Sequence, residues 1–184
     1  MLKSTRNLAA SIVAALLVAA CATDNRPPPP VRVDTSHLPA AAEAAAQAAS
    51  PTSDAIVAAV NGARADAGVS PLSQNGQLQH IAATQAADMA LRNFAGNFNP
   101  EGKGAKERML AVDPEFKGGV DEIIAVLDVP AAATPQEIAA LALKGWLKKP
   151  NQRKVLRSPD YTQTGVGVTR KDTRVYIVQD FIGP

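Results

Sequence analysis

The sequence predicts an α+β domain in which helices lie on either side of a small, largely antiparallel sheet. Three observations support this class: amphipathic helical patterns early in the domain, a β-branched segment near its middle, and two alternating segments at its end. The domain is predicted to span residues 53–184, a length sufficient for one hydrophobic core.

Two amphipathic helices are predicted at the start of this domain. In SDAIVAAVNGARADAG, one helical face carries Ile56, Val57, Val60 and Ala63, and Gly68 follows as a stop. The segment NGQLQHIAATQAADMALRN repeats the pattern through Leu78, Ala82 and Met89. A loop rich in Gly, Asn and Pro is then predicted from Asn93 to Gly104.

A strand, a helix and a hairpin are predicted in the second half. The segment GGVDEIIAVLDV is short and β-branched, as is typical of a strand. Thr134-Pro135-Gln136-Glu137 combines a capping box with a first-turn proline, so a helix begins there and runs to about Lys148, before Pro150. TGVGVTR and RVYIVQDF alternate as a hairpin would, with the turn at Lys171-Asp172.

The amino terminus has the layout of a secretory signal. Lys3 and Arg6 precede an apolar stretch that is too short for a comfortable permanent bilayer span. The stretch ends in Leu17-Val18-Ala19-Ala20-Cys21, which resembles a bacterial lipobox. We therefore predict that residues 1–20 are a lipoprotein signal peptide and that Cys21 is the lipid attachment site. The alternative is an ordinary signal peptide with an incidental cysteine.

Residues 21–52 are predicted to form an acylated amino terminus followed by a Pro/Ala-rich tether. Pro27 to Pro30 favours extended polyproline II, and the alanine-rich segment that follows lacks the large apolar residues that a core requires. Resemblance to sorted lipoproteins implies that Ala22, in place of Asp, directs the protein to the outer membrane, facing the periplasm. The expected location is therefore the cell envelope, with the lipid as the membrane contact.

The charge of the chain is unevenly distributed. Residues 138–184 contain nine Lys/Arg and three Asp/Glu, although the full chain has a formal charge of only +2. The most basic stretch, WLKKPNQRKVL, contains Trp146 as its only aromatic residue. Nucleic-acid surfaces normally combine such charges with stacking aromatics. We therefore favour a solvated helix face over a dedicated anion site, and we expect no nucleic-acid partner.

Several short motifs, in order, resemble the CAP superfamily (SCP-like; cysteine-rich secretory proteins, antigen-5 and pathogenesis-related relatives), and in particular its compact bacterial lipoprotein branch. The matching segments are VNGARADAGVSPL, LQHIAATQAADM, FAGNFNPEG, DEII, WLKKPNQRKVL, GVGV and IVQDF. Each motif alone is weak, but the complete ordered series is fairly specific. The resemblance implies a three-layer α-β-α sandwich over roughly residues 54–182.

The resemblance also implies a cavity that differs from the family pattern. The family's two cavity histidines, which can hold a divalent metal, correspond here to Asn97 and Gln152, while the matching glutamate is Glu122. A carboxamide forms hydrogen bonds but replaces imidazole poorly as a metal ligand or general base. Asn97, Glu122 and Gln152 are therefore the candidate cavity residues. They form either a structural hydrogen-bond cluster or a ligand site, and we expect no metal site.

No catalytic residue can be assigned from the sequence. His37 lies in the tether, His80 is expected to be an exposed or rim residue of the second helix, and no Gly-x-Ser-x-Gly motif is present. We therefore predict a lipid-anchored envelope protein that is a non-enzymatic binding or structural module without a cofactor. Its expected partners are the membrane and a small hydrophobic or anionic envelope ligand. The alternative is a protease-like or nuclease-like hydrolase of the envelope.

Overall fold

A computed structural model describes residues 50–184 of the chain. The predicted signal peptide, Cys21, His37 and the tether as far as residue 49 lie outside the described residues. The described part begins with Ser50, whose hydroxyl accepts a hydrogen bond from the Ser53 backbone and caps the first helix. That helix starts at Pro51. Proline is favoured in a first helical turn because an N–H group at this position would have no hydrogen-bond acceptor within the helix.

Five helices and four strands make up residues 50–184. In chain order they are α1 (Pro51–Ala65), β1 (Ser73–Gln74), α2 (Gly76–Arg92), α3 (Ala105–Val112), β2 (Asp121–Asp128), α4 (Pro135–Lys148), α5 (Pro150–Leu156), β3 (Gln163–Lys171) and β4 (Arg174–Ile182). The sheet has the order β1-β3-β4-β2, with β1 parallel to β3 and the other pairs antiparallel. The predicted α+β class with a largely antiparallel sheet is confirmed.

The sheet is covered by helices on both faces, which gives three layers. On one face, α1 and α4 enclose a core with Ile56, Val60, Trp146, Ile177 and Phe181. On the other face, α2 packs Ala82, Ala86 and Met89 against alternate residues of β4, Tyr176 and Val178. The three-layer α-β-α arrangement implied by the resemblance is therefore present.

Two glycines of β3 allow α2 to lie directly on the sheet. A Cβ atom on Gly167 would stand 2.2 Å from the carbonyl carbon of Ala82, and one on Gly165 would stand 2.1 Å from the backbone nitrogen of Gln79. Both obstacles are helix backbone, so no side-chain rotation could relieve them. The GVGV motif therefore fixes the distance between helix and sheet, and with it the position of every α2 side chain that faces β4.

The locally encoded elements were predicted correctly. Thr134 and Glu137 form both halves of the capping box that begins α4, and the helix ends at Lys148. The β3–β4 hairpin turns through Asp172, which has a left-handed φ of 55°. Trp146 is buried, with 1% of its surface exposed.

Three short elements and one buried charge were not predicted. The short elements are β1, α3 and α5, of which α3 buries only Ala105 and Met109 and α5 buries only Leu156. In α1 the buried residue at the end of the stripe is Arg64, whereas Ala63 is half-buried. The Arg64 guanidinium donates to four backbone carbonyls, those of Ser70, Leu156, Ser158 and Tyr161.

Candidate functional site

The predicted cavity residues meet along β2, which is an edge strand of the sheet. Asn97 Nδ2 donates to the backbone carbonyl of Glu122 at 2.8 Å. The carbonyl of Ile124, two residues further on, accepts from Trp146 Nε1 at 2.9 Å and from Gln152 Nε2 at 3.4 Å. On the outer side of an edge strand, backbone groups have no neighbouring strand to bind. These side chains therefore supply the hydrogen bonds that the Glu122 and Ile124 carbonyls do not receive from β4.

The loop that carries Asn97 is held in place by α2 and the side chains at its end. The helix terminates at Asn93, which adopts a left-handed φ of 55°. Arg92 hydrogen-bonds with Asp88 on its own helix and with Glu101 on the far side of the loop. Further up the helix, Gln85 Nε2 donates to the carbonyl of Gly96 at 2.8 Å. These contacts set where Asn97 reaches β2.

The carboxylate of Glu122 points away from this backbone edge, into the interface with α2 and α3. It forms an ion pair with Arg108 of α3. Only 2% of the Glu122 side chain and 9% of the Arg108 side chain are exposed, so the pair is almost closed to water. Arg108 Nη1 also donates to Gln85 Oε1 at 3.0 Å and to the Lys103 carbonyl at 3.3 Å.

A second acid, Asp180, lies beside Glu122 on the neighbouring strand. The two residues are register partners in the β2–β4 ladder, and such partners on one face have Cβ atoms about 5 Å apart. Asp180 is fully buried, and neither of its carboxyl oxygens accepts a hydrogen bond from a donor group. The neighbour that interacts with this carboxyl most strongly is Glu122. Because two carboxylates can only accept, a hydrogen bond between them requires a proton on one of the acids.

Burial favours the protonated forms of both acids. It raises the pKa of Glu122 to about 7, although the Arg108 cation and a hydrogen bond from Asp180 pull that pKa down. Burial and, after it, the charge of Glu122 raise the pKa of Asp180 well above its usual range. Because Arg108 pairs with Glu122 and not with Asp180, we infer that a proton shared by the two acids resides on Asp180.

These four side chains form one buried cluster, which we call the polar centre: Gln85, Arg108, Glu122 and Asp180. The sequence predicted only Glu122 among them. The available signal for Asp180 was its spacing, since Tyr176, Val178 and Asp180 alternate along one strand and so share a face. An acid on the buried face of a strand is unusual and indicates a buried polar cluster.

Asn97 and Gln152 belong to the surroundings of this cluster rather than to its carboxyl groups. Both bind backbone atoms of β2; Asn97 is exposed, and Gln152 is half-buried with its Oε1 atom lacking a partner. His80 is half-buried on α2, as expected of a rim position. Among residues 50–184, no group of three or more His, Cys, Asp or Glu side chains is arranged to hold a metal ion.

Comparison with known proteins decides the family. The model of the cysteine-rich secretory protein family, CAP, matches residues 57–181, which is more than half of the chain. The chain belongs to the CAP family. The match extends from within α1 to β4. The polar centre and the β2 carbonyls that bind Asn97 and Gln152 are therefore both parts of the CAP domain. No curated protein matches the sequence of the chain.

Solved structures share the fold of this CAP domain. An extracellular protein containing an SCP domain from Bacillus anthracis is 26% identical, with a TM-score of 0.58, and the match covers 72% of this chain and 40% of that protein. An outer surface protein from Borrelia burgdorferi is 16% identical, with a TM-score of 0.58 and coverages of 69% and 88%. A cysteine-rich secretory protein from Staphylococcus aureus is 18% identical, with a TM-score of 0.51 and coverages of 72% and 39%.

Proposed function

We propose that this protein is a lipid-anchored component of the cell envelope whose CAP domain is a non-enzymatic binding or structural module. The observation that carries the proposal is the state of the polar centre. Its carboxyl groups are buried and engaged with Arg108 and with each other, and the side chains at the expected histidine positions bind backbone carbonyls. The groups that would perform chemistry are thus committed to holding the sheet and helices together.

A hydrolytic role for Glu122 is the competing proposal, and one observation favours it. A carboxyl with a pKa of about 7 suits a general acid or base at neutral pH. A general base must also reach a substrate or its water, and the Glu122 side chain is only 2% exposed and paired with Arg108. The same burial that raises the pKa therefore separates the group from any substrate, and we favour the non-enzymatic role.

The envelope location is supported by the sequence and by the relatives. The lipobox-like segment ending in Cys21 supports acylation, and two of the matching structures are described as extracellular or outer surface proteins. Within residues 50–184, no helix is long and apolar enough to cross a membrane. Several acyl chains on Cys21 would provide stable anchoring, since each buried methylene contributes about 0.8 kcal/mol. Ala22, in place of Asp, supports an outer-membrane location for the proposed anchor, facing the periplasm.

Cys21→Ser should abolish lipid attachment, because serine cannot form the thioether that carries the lipid. Cells expressing the wild type or the variant would be supplied with a labelled fatty acid, and label in the isolated protein would be measured. We expect label in the wild type and none in the variant, which should also accumulate as an uncleaved precursor. Equal labelling of both proteins would contradict anchoring through Cys21.

A further inference from the structure

A surface formed by α4 and α5 concentrates positive charge. Six cations lie between positions 144 and 157, and no acid occurs from Ile138 to Pro159. All six side chains belong to exposed residues. We call this surface the basic face; its members are Lys144, Lys148, Lys149, Arg153, Lys154 and Arg157.

The charge of the basic face is not neutralised within the domain. Arg92, Arg108 and Arg174 each form an ion pair with a carboxylate, whereas within residues 50–184 none of the six cations does. Arg153 donates to the backbone carbonyl of Leu147, a contact that leaves its charge uncompensated. Six unpaired like charges repel one another, so an external anionic surface would stabilise this arrangement.

The basic face is held on a rigid support. The opposite side of α4 buries Ala142 and Trp146 in the core, and α5 is anchored by Leu156. Leu141, three residues before Lys144 and therefore on the same side of the helix, leaves 45% of its surface exposed. An exposed leucine beside lysines matches the chemistry of a bilayer interface, where apolar atoms and phosphate groups lie at adjacent depths.

The rest of the domain carries a net negative charge, so the molecule has an electric dipole. Residues 50–137 contain six basic and eleven acidic side chains, against nine and three in residues 138–184. Near a negatively charged plane, such a charge distribution favours orientations in which the basic face lies against the plane. A nucleic acid is the less suitable partner, because Trp146, the aromatic residue closest in sequence to these cations, is buried and cannot stack on bases.

We propose that the basic face lies against a bilayer surface that contains anionic phospholipids, with lysine and arginine meeting lipid phosphates and Leu141 at the interface. This contact rests on the proposed envelope anchoring and adds to it a second, orienting attachment. Each basic side chain near an anionic surface strengthens association by about fivefold at moderate ionic strength. A lipid on Cys21 would keep the domain at high effective concentration beside the membrane, so these contacts need only orient it.

The test measures which lysines the membrane covers. Full-length lipidated protein would be placed in vesicles of phosphatidylcholine alone, or of phosphatidylcholine with phosphatidylglycerol, and treated with a water-soluble amine reagent. Labelling would be read by mass spectrometry. The reporters are Lys144, Lys148, Lys149 and Lys154, and the internal controls are Lys103, Lys106 and Lys117, which are also exposed.

We expect anionic vesicles to reduce labelling of the reporter lysines by about fivefold or more relative to neutral vesicles, without affecting the controls. The protection should disappear at about 1 M salt, where the screening length falls to about 3 Å. Equal labelling in both vesicles, or equal protection of the control lysines, would overturn the proposal. Equal protection on neutral vesicles by double-stranded DNA at matched phosphate concentration would also overturn it, in favour of a nucleic-acid site.

A matched pair of triple variants tests whether charge causes the protection. Lys144→Gln, Lys148→Gln and Lys154→Gln together should expose Lys149 in anionic vesicles, whereas Lys103→Gln, Lys106→Gln and Lys117→Gln, with the same charge change, should leave it protected. Persistent protection of Lys149 in the first variant would refute the electrostatic contact. Retention on neutral vesicles reports the anchor separately. Loss of retention counts against the proposed anchoring, whereas retention with unprotected lysines counts only against the membrane contact.

Discussion

Replacing Arg108 with methionine should lower the free energy of unfolding by about 3–5 kcal/mol at about pH 8, the usual cost of removing one partner of a buried ion pair. The loss follows from what remains: Glu122 is left as a buried carboxylate with no cation, next to a second acid. Methionine approximates the aliphatic part of arginine, so the change removes the charge with little loss of packing. The effect should shrink at about pH 5, because Glu122 is then protonated and no longer needs the cation.

Urea unfolding of a soluble chain of residues 22–184 would measure this loss. Lys106→Met is the matched control, since Lys106 is exposed on the same helix and the substitution removes one charge there too. We expect the control to change stability by no more than about 0.5 kcal/mol. Equal effects of the two substitutions, or a loss at Arg108 that does not depend on pH, would contradict the assignment of Arg108 as the cation of the polar centre.

Raising the pH from about 5 to about 8.5 should destabilise the wild-type domain by about 3 kcal/mol. The folded state raises the pKa of Glu122 to about 7, mainly through burial, from the ordinary value of 4.5. Between these two values the folded protein therefore binds more protons than the unfolded chain. The stabilisation from protonated Glu122 is complete below the unfolded pKa and is lost as the pH rises through the folded pKa.

Other acids also contribute to the pH dependence of stability, at both ends of the range. Asp180 shifts in the same direction as Glu122 and adds to the loss at high pH. Glu107 and Glu137, whose pKa values are lowered by helix-capping hydrogen bonds, favour folding only above their own titration range. Stability should therefore be greatest at about pH 5 to 6.

Asp180→Asn distinguishes the carboxyl pair from other titrating groups. Asparagine keeps a donor beside Glu122 but has no titrating proton, so the variant loses the part of the decline that comes from Asp180 and keeps the part that comes from the burial of Glu122. We expect the decline between about pH 5 and about pH 8.5 to become clearly smaller in this variant, with stability at the alkaline end above that of the wild type. Thermal and urea unfolding across this range would measure both proteins. A wild type whose stability is flat or rises with pH would contradict the shared proton.

The parts of the fold with strong local signals could be predicted from the sequence. Thr134 and Glu137 mark a helix start through a capping box, and two alternating segments around Lys171-Asp172 specify a hairpin. The approximate place of Asn97, Glu122 and Gln152 followed from the order of the CAP motifs. Each of these predictions depends on residues that are close together in the chain or on a resemblance to a family. Neither kind of prediction requires knowing which residues of two strands are paired.

The polar centre could not be predicted because it depends on long-range geometry. Asp180 meets Glu122 only through the register of β2 against β4, and Arg108 reaches both from α3, a helix with too few buried residues to show a pattern. Arg64 is a similar case, since its partners are backbone carbonyls that no side-chain pattern marks. Buried charges matched by distant groups are thus the features that required the structure.

We propose that the polar centre holds a proton and a guanidinium and has a structural role instead of a metal-binding or catalytic one. Zinc titration by calorimetry, on residues 22–184 at neutral pH, tests it most directly. Zinc sites normally require three or four protein ligands, and Glu122 and Asp180 supply at most two acids that are already engaged. We predict no saturable heat for the wild type and the same trace for Glu122→Gln. Stoichiometric zinc binding by the wild type that disappears in Glu122→Gln would show that the polar centre is a metal site.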